Sequence, residues 1–330
     1  MPKSPNQKLK LLYLMKILLE KTDDEHSLTL TDILSELSKY DISAERKSIY
    51  SDFESLRLYG LDIISETRNR TVSYHIGSRE FELAELKLLV DLVQSSKFIT
   101  EKKSRQLIKK LEGLASKYEA AELQRQVFVQ GRIKTMNESI YYNVDKISQA
   151  IGKNLQIKFQ YYQWNMDKEM ELRHEGAFYF VSPWELIWDD ENYYLVAYDS
   201  KAEKMKHFRV DKMLKISLIQ EKRQGKEIFE KVDMASYSKK RFGMYDGKVQ
   251  SVKIECENRF AGIMIDRFGK EVSLRKTDQD HFVVNVDVAI SKQFLGWVIA
   301  LGDGVKIIEP ESVVCEMKKE IQRLMEQYCL

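Results

Sequence analysis

Near the start of the chain, Leu11, Leu12, Met15, Leu18 and Leu19 recur three and four residues apart, the spacing of one face of an α-helix. Ile33, Leu34 and Leu37 repeat the pattern behind Thr31, which predicts a second helix N-capped by that threonine. Ile49, Phe53 and Leu56 predict a third, capped by Ser43. Lys39-Tyr40-Asp41-Ile42 is the short connection between them, and Gly60 ends the third helix. The period then changes to two. Asp62 to Ser65 and Thr71 to Ile76 read as strands around a polar turn, Arg68-Asn69-Arg70. Helical spacing returns from Phe81 to about Lys134, in Phe81 to Leu89 and again at Leu107, Leu111 and Leu114.

Asp145 to Ile151 then suggests a short helix, and Leu155 to Tyr161 alternates as a strand. Further strand patterns are Met170 to Leu172, Ala177 to Ser182, Trp184 to Trp188, Tyr193 to Asp199 and Lys206 to Val210. A charged hinge, Glu221 to Lys240, leads to strands at Val249 to Cys256, His281 to Val288 and Val305 to Pro310. One helix is expected from Gln293 to Leu301 and a last one from Pro310 to Tyr328, with Val313, Val314, Met317, Ile321 and Leu324 on one face.

Three helices followed by a hairpin is the order of a winged helix-turn-helix. Several short strands around a brief helix indicate a small β-barrel, and the last third suggests a small α+β sandwich. With Ile49 as the buried centre of the third helix, Lys47, Tyr50, Ser51 and Glu54 lie on the opposite side and Arg46 nearer the flank. Lys, Tyr and Ser reach phosphates or base edges when a helix enters the major groove, and Arg68 or Arg70 in the turn would meet a phosphate or a minor groove. Charge opposes this reading. Met1 to Ile76 carry 11 Lys or Arg against 12 Asp or Glu, so a basic footprint must be local, built from Lys3, Lys8, Lys10, Arg46, Lys47, Arg68 and Arg70. Protein contacts remain the alternative use of such a unit.

Composition narrows the class. A 330-residue chain exceeds one usual core, so two or three domains are expected; 43% hydrophobic and 32% charged residues describe a soluble protein. Cys256, Cys315 and Cys329 have no metal-ligand or disulfide spacing, which points to a reducing cytoplasm. The N-terminal apolar segment is interrupted by Lys16 and Glu20 and is neither signal peptide nor membrane span. Lys97 to Lys134 carry 10 Lys or Arg and 4 Asp or Glu, either a solvated helix face or a surface lying along DNA or a second subunit.

Chemistry concentrates between Val181 and Met213. His207 and Arg209 share one strand face while Phe208 and Val210 take the other, so they are either solvated outer-face residues or the lining of an anion pocket. Asp189-Asp190-Glu191 reads as a solvated turn rather than a metal site, and His174-Glu175 lacks the second His of a zinc helix. The five histidines share no ligand spacing. Gly302-Asp303-Gly304 is too short for a dinucleotide fingerprint and reads as a helix C-cap and turn. Catalysis, metal and cofactor are not expected.

Pro183, Tyr193-Tyr194-Leu195 and Phe208-Arg209-Val210-Asp211-Lys212 closely resemble the motifs of the WYL domain of bacterial transcriptional regulators. Tyr193 stands where the namesake Trp is found, and Lys212 where Arg is usual, which loses the planar fork of Arg. Ser43 to Gly60 resembles the recognition-helix segment of the same regulators through Ser48-Ile49-Tyr50-Ser51-Asp52-Phe53, with Ser51 where Arg is common. Phe294-Leu295-Gly296-Trp297, Leu301-Gly302 and Ile308-Glu309-Pro310 resemble their C-terminal, WCX-type extension.

The resemblance implies a multidomain α+β fold: a winged helix-turn-helix at 1–77, a helical linker or dimerisation region at 78–137, an Sm-like WYL barrel at 138–222 and a WCX-like extension at 245–330. It implies a cytoplasmic regulator that binds double-stranded DNA as a homodimer, with no membrane contact. DNA-binding residues would be Arg46, Lys47, Ser48, Tyr50, Ser51, Arg68 and Arg70. An anionic effector, a nucleotide or single-stranded nucleic acid, would be held by Ser182, Tyr194, His207, Arg209 and Lys212, with Arg209 and Lys212 on phosphate and His207 donating when protonated. Tyr193 and Tyr194 point to opposite strand faces, so one at most enters the pocket. The alternative is a single-stranded nucleic-acid-binding protein that uses the barrel, with the N-terminal unit serving protein contacts.

Overall fold

The computed structural model describes residues 6–123, 134–231, 234–237 and 239–328. The chain divides into two compact units, Met1–Glu138 and Ser139–Leu330. Lys3, Arg125, Arg132 and Cys329, which enter the sequence reading, lie outside the described residues.

The first unit begins with α1 (Lys10–Lys21), β1 (Leu28–Thr29), α2 (Leu30–Ser38), α3 (Arg46–Tyr59), β2 (Ile63–Arg68) and β3 (Thr71–Ile76). The strands form an antiparallel sheet in the order β1-β3-β2. Leu14, Ile17, Leu18, Ile33, Leu37, Ile49, Phe53 and Leu56 join Ile63, Tyr74 and Ile76 in one core. The buried face of α1 is therefore rotated from the expected one: it centres on Leu14 and Ile17, and Leu12 is 56% exposed.

Two helix starts also differ. Thr29, not Thr31, caps α2: its hydroxyl accepts from Asp32 N, while Asp32 Oδ2 accepts from Thr29 N at 2.9 Å. The reciprocal pair favours the earlier start, and Leu28 and Thr29 are held extended by pairing with Tyr74 and Ser73. Ser43 does not cap α3: Ile42 and Ala44 are drawn into the core, and the helix starts two residues later behind an extended Glu45. Gly60 closes α3 as expected, at φ 114°. The β2–β3 turn is only Asn69-Arg70, both with positive φ, and Arg68 belongs to the strand, the left-handed pair that a two-residue hairpin requires.

Next come α4 (Leu83–Ser95), α5 (Glu101–Glu112) and α6 (Lys117–Leu123), packed around Leu86, Val90, Ala115 and Leu123. Asp23, after α1, and Ser116, before α6, are both buried, and the Ser116 hydroxyl donates to Asp23 Oδ2. Arg79 donates to the carbonyls of Leu19 and Thr22 and lies 3.6 Å from Glu119. These bonds fix the three helices to the first core.

The second unit opens with α7 (Ile140–Gly152), which packs on a curled antiparallel sheet of β4 (Leu155–Trp164), β5 (Met170–Leu172), β6 (Tyr179–Asp189), β7 (Asn192–Asp199), β8 (Lys204–Arg209) and β9 (Met213–Lys222). β6 is one long strand where the pattern suggested two. Its first residues pair with β4 and the rest with β7, with an irregularity between Pro183 and Glu185 that turns the sheet. β9 was not expected. It pairs with β4 across two register shifts, and Lys215 has φ 53°, so its apolar residues never alternate cleanly.

Short helices α8 (Lys226–Phe229) and α9 (Met234–Tyr237) lead to β10 (Val249–Glu257), α10 (Ala261–Phe268), β11 (Leu274–Lys276), β12 (His281–Ala289), α11 (Lys292–Ala300), β13 (Val305–Glu309) and α12 (Glu311–Gln327). The sheet runs β11-β12-β10-β13. Val252, Ile254 and Cys256 of β10 meet Met264, Phe294, Leu295, Val298 and Val313 of the three helices in a single core. On α12 the expected face is buried at Val313, whereas Ile321 is exposed.

Candidate effector-binding cavity

β8 pairs with β7 alone among the described strands, and a cavity of about 530 Å³ lies along it. All six residues of β8 line the cavity, His207 and Arg209 among them, and Val210, just beyond the strand, is buried. β4 contributes Tyr161, β6 Tyr179 and β7 Tyr194, while Arg173 and His174 come from the turn before β6. His174, Glu175 and Gly176 all have positive φ, an uncommon left-handed turn that holds the His174 ring 5.4 Å from Tyr179. Gly243 to Asp246, ahead of β10, supply the remaining wall.

Arg209 is held as a fork. Its Nε and Nη2 donate to the two carboxylate oxygens of Asp211, each at 3.0 Å, and Nη2 also donates to Asn192 Oδ1 at 3.0 Å. Asp211 and Asn192 are both buried, so the guanidinium plane is fixed, and Nη1, with its two N–H groups, takes no part in these bonds. Burial opposes charge on Arg209, and the Asp211 carboxylate more than offsets it. The backbone N–H of Arg209 donates to the Tyr161 hydroxyl at 3.2 Å. Burial pushes the Tyr161 phenol up to about 12, which keeps its own proton available to donate.

His207 behaves otherwise than expected. Its Nε2 lies 2.6 Å from the Tyr237 hydroxyl. Burial, reinforced by the nearby Arg241 charge, pulls its pKa down to about 4. The imidazole is neutral at neutral pH and offers a hydrogen bond rather than a positive charge. The cations are Arg209, Arg173, Lys204 and Lys206, the last tied to Asp199 at 2.6 Å.

Residues 142–218 match the family model of the WYL domain, and residues 248–325 match that of the WCX domain. The chain carries a WYL domain followed by a WCX domain. Among solved structures it is similar to Proteasome accessory factor B/C (PafBC) of Arthrobacter aurescens, with 18% sequence identity and a TM-score of 0.27. That likeness covers 99% of this chain and 50% of the other, so the chain spans about half the length of that relative. No curated protein matches.

Within the WYL domain, Tyr194, His207 and Arg209 are brought together, and Ser182 and Lys212 are not among the cavity-lining residues. Ser182 is 2% exposed, and its hydroxyl accepts from Gln224 N at 2.8 Å, tying β6 to the chain after β9. Lys212 lies over the rings of Tyr162 and Trp164, at 4.8 and 5.4 Å, and 3.6 Å from Asp211. Its position supports the carboxylate that holds Arg209. Tyr194 is 8% exposed and lines the cavity, whereas Tyr193 packs edge-on against Trp188 at 4.7 Å. Tyr161, Arg173, Tyr179 and the 243–246 wall were missed, since topology rather than spacing brings them to β8.

In the first unit, Arg46, Lys47 and Ser51 are exposed on α3, and Tyr50 is half-exposed. Arg46, Lys47 and Arg70 carry no ion pair among the described residues. Ser48 instead turns toward α1, where Lys10 donates to its hydroxyl and pairs with Asp52 at 2.7 Å. Lys10 and Ser48 are thus used within the fold, and Arg68 pairs with Glu66 at 3.0 Å. In the basic helical region, Lys134 donates to the carbonyls of Val93 and Ser96 at the end of α4 and to Ser104, a helix-capping role. No group that could hold a metal ion and no helix long and apolar enough to cross a membrane occur among the described residues.

Proposed function

We propose that this protein is a DNA-binding transcriptional regulator whose WYL domain, an Sm-like barrel, senses an anionic effector, a nucleotide or a single-stranded nucleic acid. Arg209 carries the reading: it is braced by two buried partners, and Nη1 is kept for a ligand at a cavity with further cations. Such a brace removes the ordering cost of binding a phosphate. On this reading residues 1–77 are a winged helix-turn-helix, 78–137 a linker and dimerisation region, 138–222 the sensor and 245–330 the WCX extension. The protein acts in the cytoplasm, as a homodimer and without catalysis. Arg46, Lys47, Tyr50, Ser51 and Arg70 would face DNA. Effector binding shifts the dimer between two arrangements only by its difference in affinity for them.

The test is binding of the full chain to duplex DNA from its own promoter at two salt concentrations, with and without a short single-stranded competitor. Salt-sensitive duplex binding that the competitor alters, and that Arg209→Ala uncouples from the competitor, is expected. Duplex binding indifferent to competitor and to Arg209→Ala would sink the sensor reading. A second reading is favoured by the engagement of Lys10 and Arg68 within the fold. In it the barrel binds single strands and the N-terminal unit makes protein contacts. Single-strand binding with no duplex binding would select it.

A further inference from the structure

The helix α5 divides its residues sharply between two sides. Ser104 is buried, and Ile108 and Leu111 pack against the core shared with α4 and α6. At 3.6 residues per turn, Lys102, Arg105, Gln106 and Lys109 take the opposite side, with Lys110 at its edge. All five are exposed. Lys102, Lys109 and Lys110 carry no ion pair among the described residues, and Arg105 pairs with exposed Glu101 at 3.2 Å, a surface pair that costs little to exchange. The two acids of the helix, Glu101 and Glu112, fall to one flank. Lys102 and Lys109 stand two turns apart, about 10.5 Å along the axis, so their long side chains reach separate charges.

No apolar anchor sits on this side. Protein interfaces are built around aromatic and other buried anchors and are poor in lysine, so the face suits a polyanion better than a second subunit. Phosphate neutralisation supplies most of the affinity for duplex DNA, and α3 with its hairpin offers few cations for it, since Lys10 and Arg68 are engaged within the fold. The core that carries α5 also holds α6, and Ser116 before α6 is bonded to Asp23 after α1. The charge on α5 is therefore fixed to the unit that contains α3. Resting on the DNA-binding reading above, we infer that the outer side of α5 is a second duplex-contacting surface, on which Lys102, Lys109 and Lys110 each neutralise a backbone phosphate. Gln106, lying among them, adds a neutral donor. Such contacts carry no sequence information, so they add affinity to every duplex alike.

The experiment is fluorescence anisotropy of the full-length protein across a salt series, on a promoter duplex and on an unrelated duplex of equal length. Alanine favours a helix at least as well as lysine, so a Lys102→Ala, Lys109→Ala, Lys110→Ala variant should keep the wild-type thermal melt. Its salt slope should be flatter by about 2.7, a step of roughly 0.9 for each phosphate, and its affinity for the two duplexes should fall by the same factor. The corresponding triple arginine variant should keep the wild-type slope. A slope unchanged by the alanines but flattened by Lys47→Ala, Arg70→Ala would overturn the role of α5 and leave the DNA-binding reading standing. Wild type without salt-sensitive duplex binding would remove both. A loss confined to the promoter duplex would refute phosphate contact, and an altered mass of the alanine variant in sedimentation would assign this side of α5 to a subunit interface instead.

Discussion

At the scale of single residues, the cavity depends on groups outside its lining. Asp211 is 5% exposed and holds both Arg209 and Lys212. Asp211→Asn should leave the fold intact and weaken anion binding nearly as much as Arg209→Ala, measured by titration with a short single strand. His207 gives a pH signature. Its folded pKa, about 4, lies below the ordinary 6.5, so the unfolded chain takes up the proton first as pH falls. Stability is complete above about pH 6.5 and is lost progressively down to pH 4, by up to about 3 kcal/mol for this one group. In denaturant melts the stability of wild type should fall across that window while that of His207→Gln stays flat, and equal slopes would remove His207 as the source.

A second residue-scale prediction concerns Asp23. Burial raises its carboxyl, but hydrogen bonds from Ser116 and His26 outweigh this and hold it below the ordinary 3.8. Its contribution is present above that value and is lost as pH falls through the lower, folded one. Ser116→Ala should cost about 1–3 kcal/mol at neutral pH, because the buried carboxylate loses a donor. The cost should shrink in acid, as followed by urea unfolding.

At the scale of elements, two substitutions isolate backbone effects. Gly60 ends α3 at φ 114°, and a Cβ there meets nothing within 4 Å. Gly60→Ala should therefore cost about 1–2 kcal/mol from conformation alone, and Thr29→Ala about 1 kcal/mol through loss of the α2 cap. Thermal melts of the two variants check both values. Elements that keep one period were legible in the sequence: Val252, Ile254 and Cys256 alternate without interruption and mark β10, and Ile49, Phe53 and Leu56 mark α3. β9 was not legible, because its bulges shift inward positions off the alternation. The same split holds for the site. Alternation puts His207 and Arg209 on one strand face and leaves Tyr193 and Tyr194 open, whereas Arg173 and Asp246 reach β8 only through the folded path of the chain.

At the scale of the whole molecule, the proposed duplex interface depends on few cations, since Lys10 and Arg68 are engaged elsewhere in the fold. A Lys47→Ala, Arg70→Ala double variant should lower duplex affinity for all sequences and flatten the salt slope by about 2, a step of roughly 0.9 for each phosphate that is no longer neutralised. Fluorescence anisotropy across a salt series reads this directly, and an unchanged slope would remove α3 and its hairpin from the interface.

The wall at Gly243 to Asp246 and the bond from His207 to Tyr237 have a consequence for how such proteins diversify. An excised 138–222 fragment would lose a wall and leave His207 without its partner, so its ligand preference should differ from that of the intact chain. On the proposed effector reading, the heritable unit of specificity is the curled sheet together with the segment that follows it. Exchanging that segment between relatives should then transplant a preference without altering the sheet.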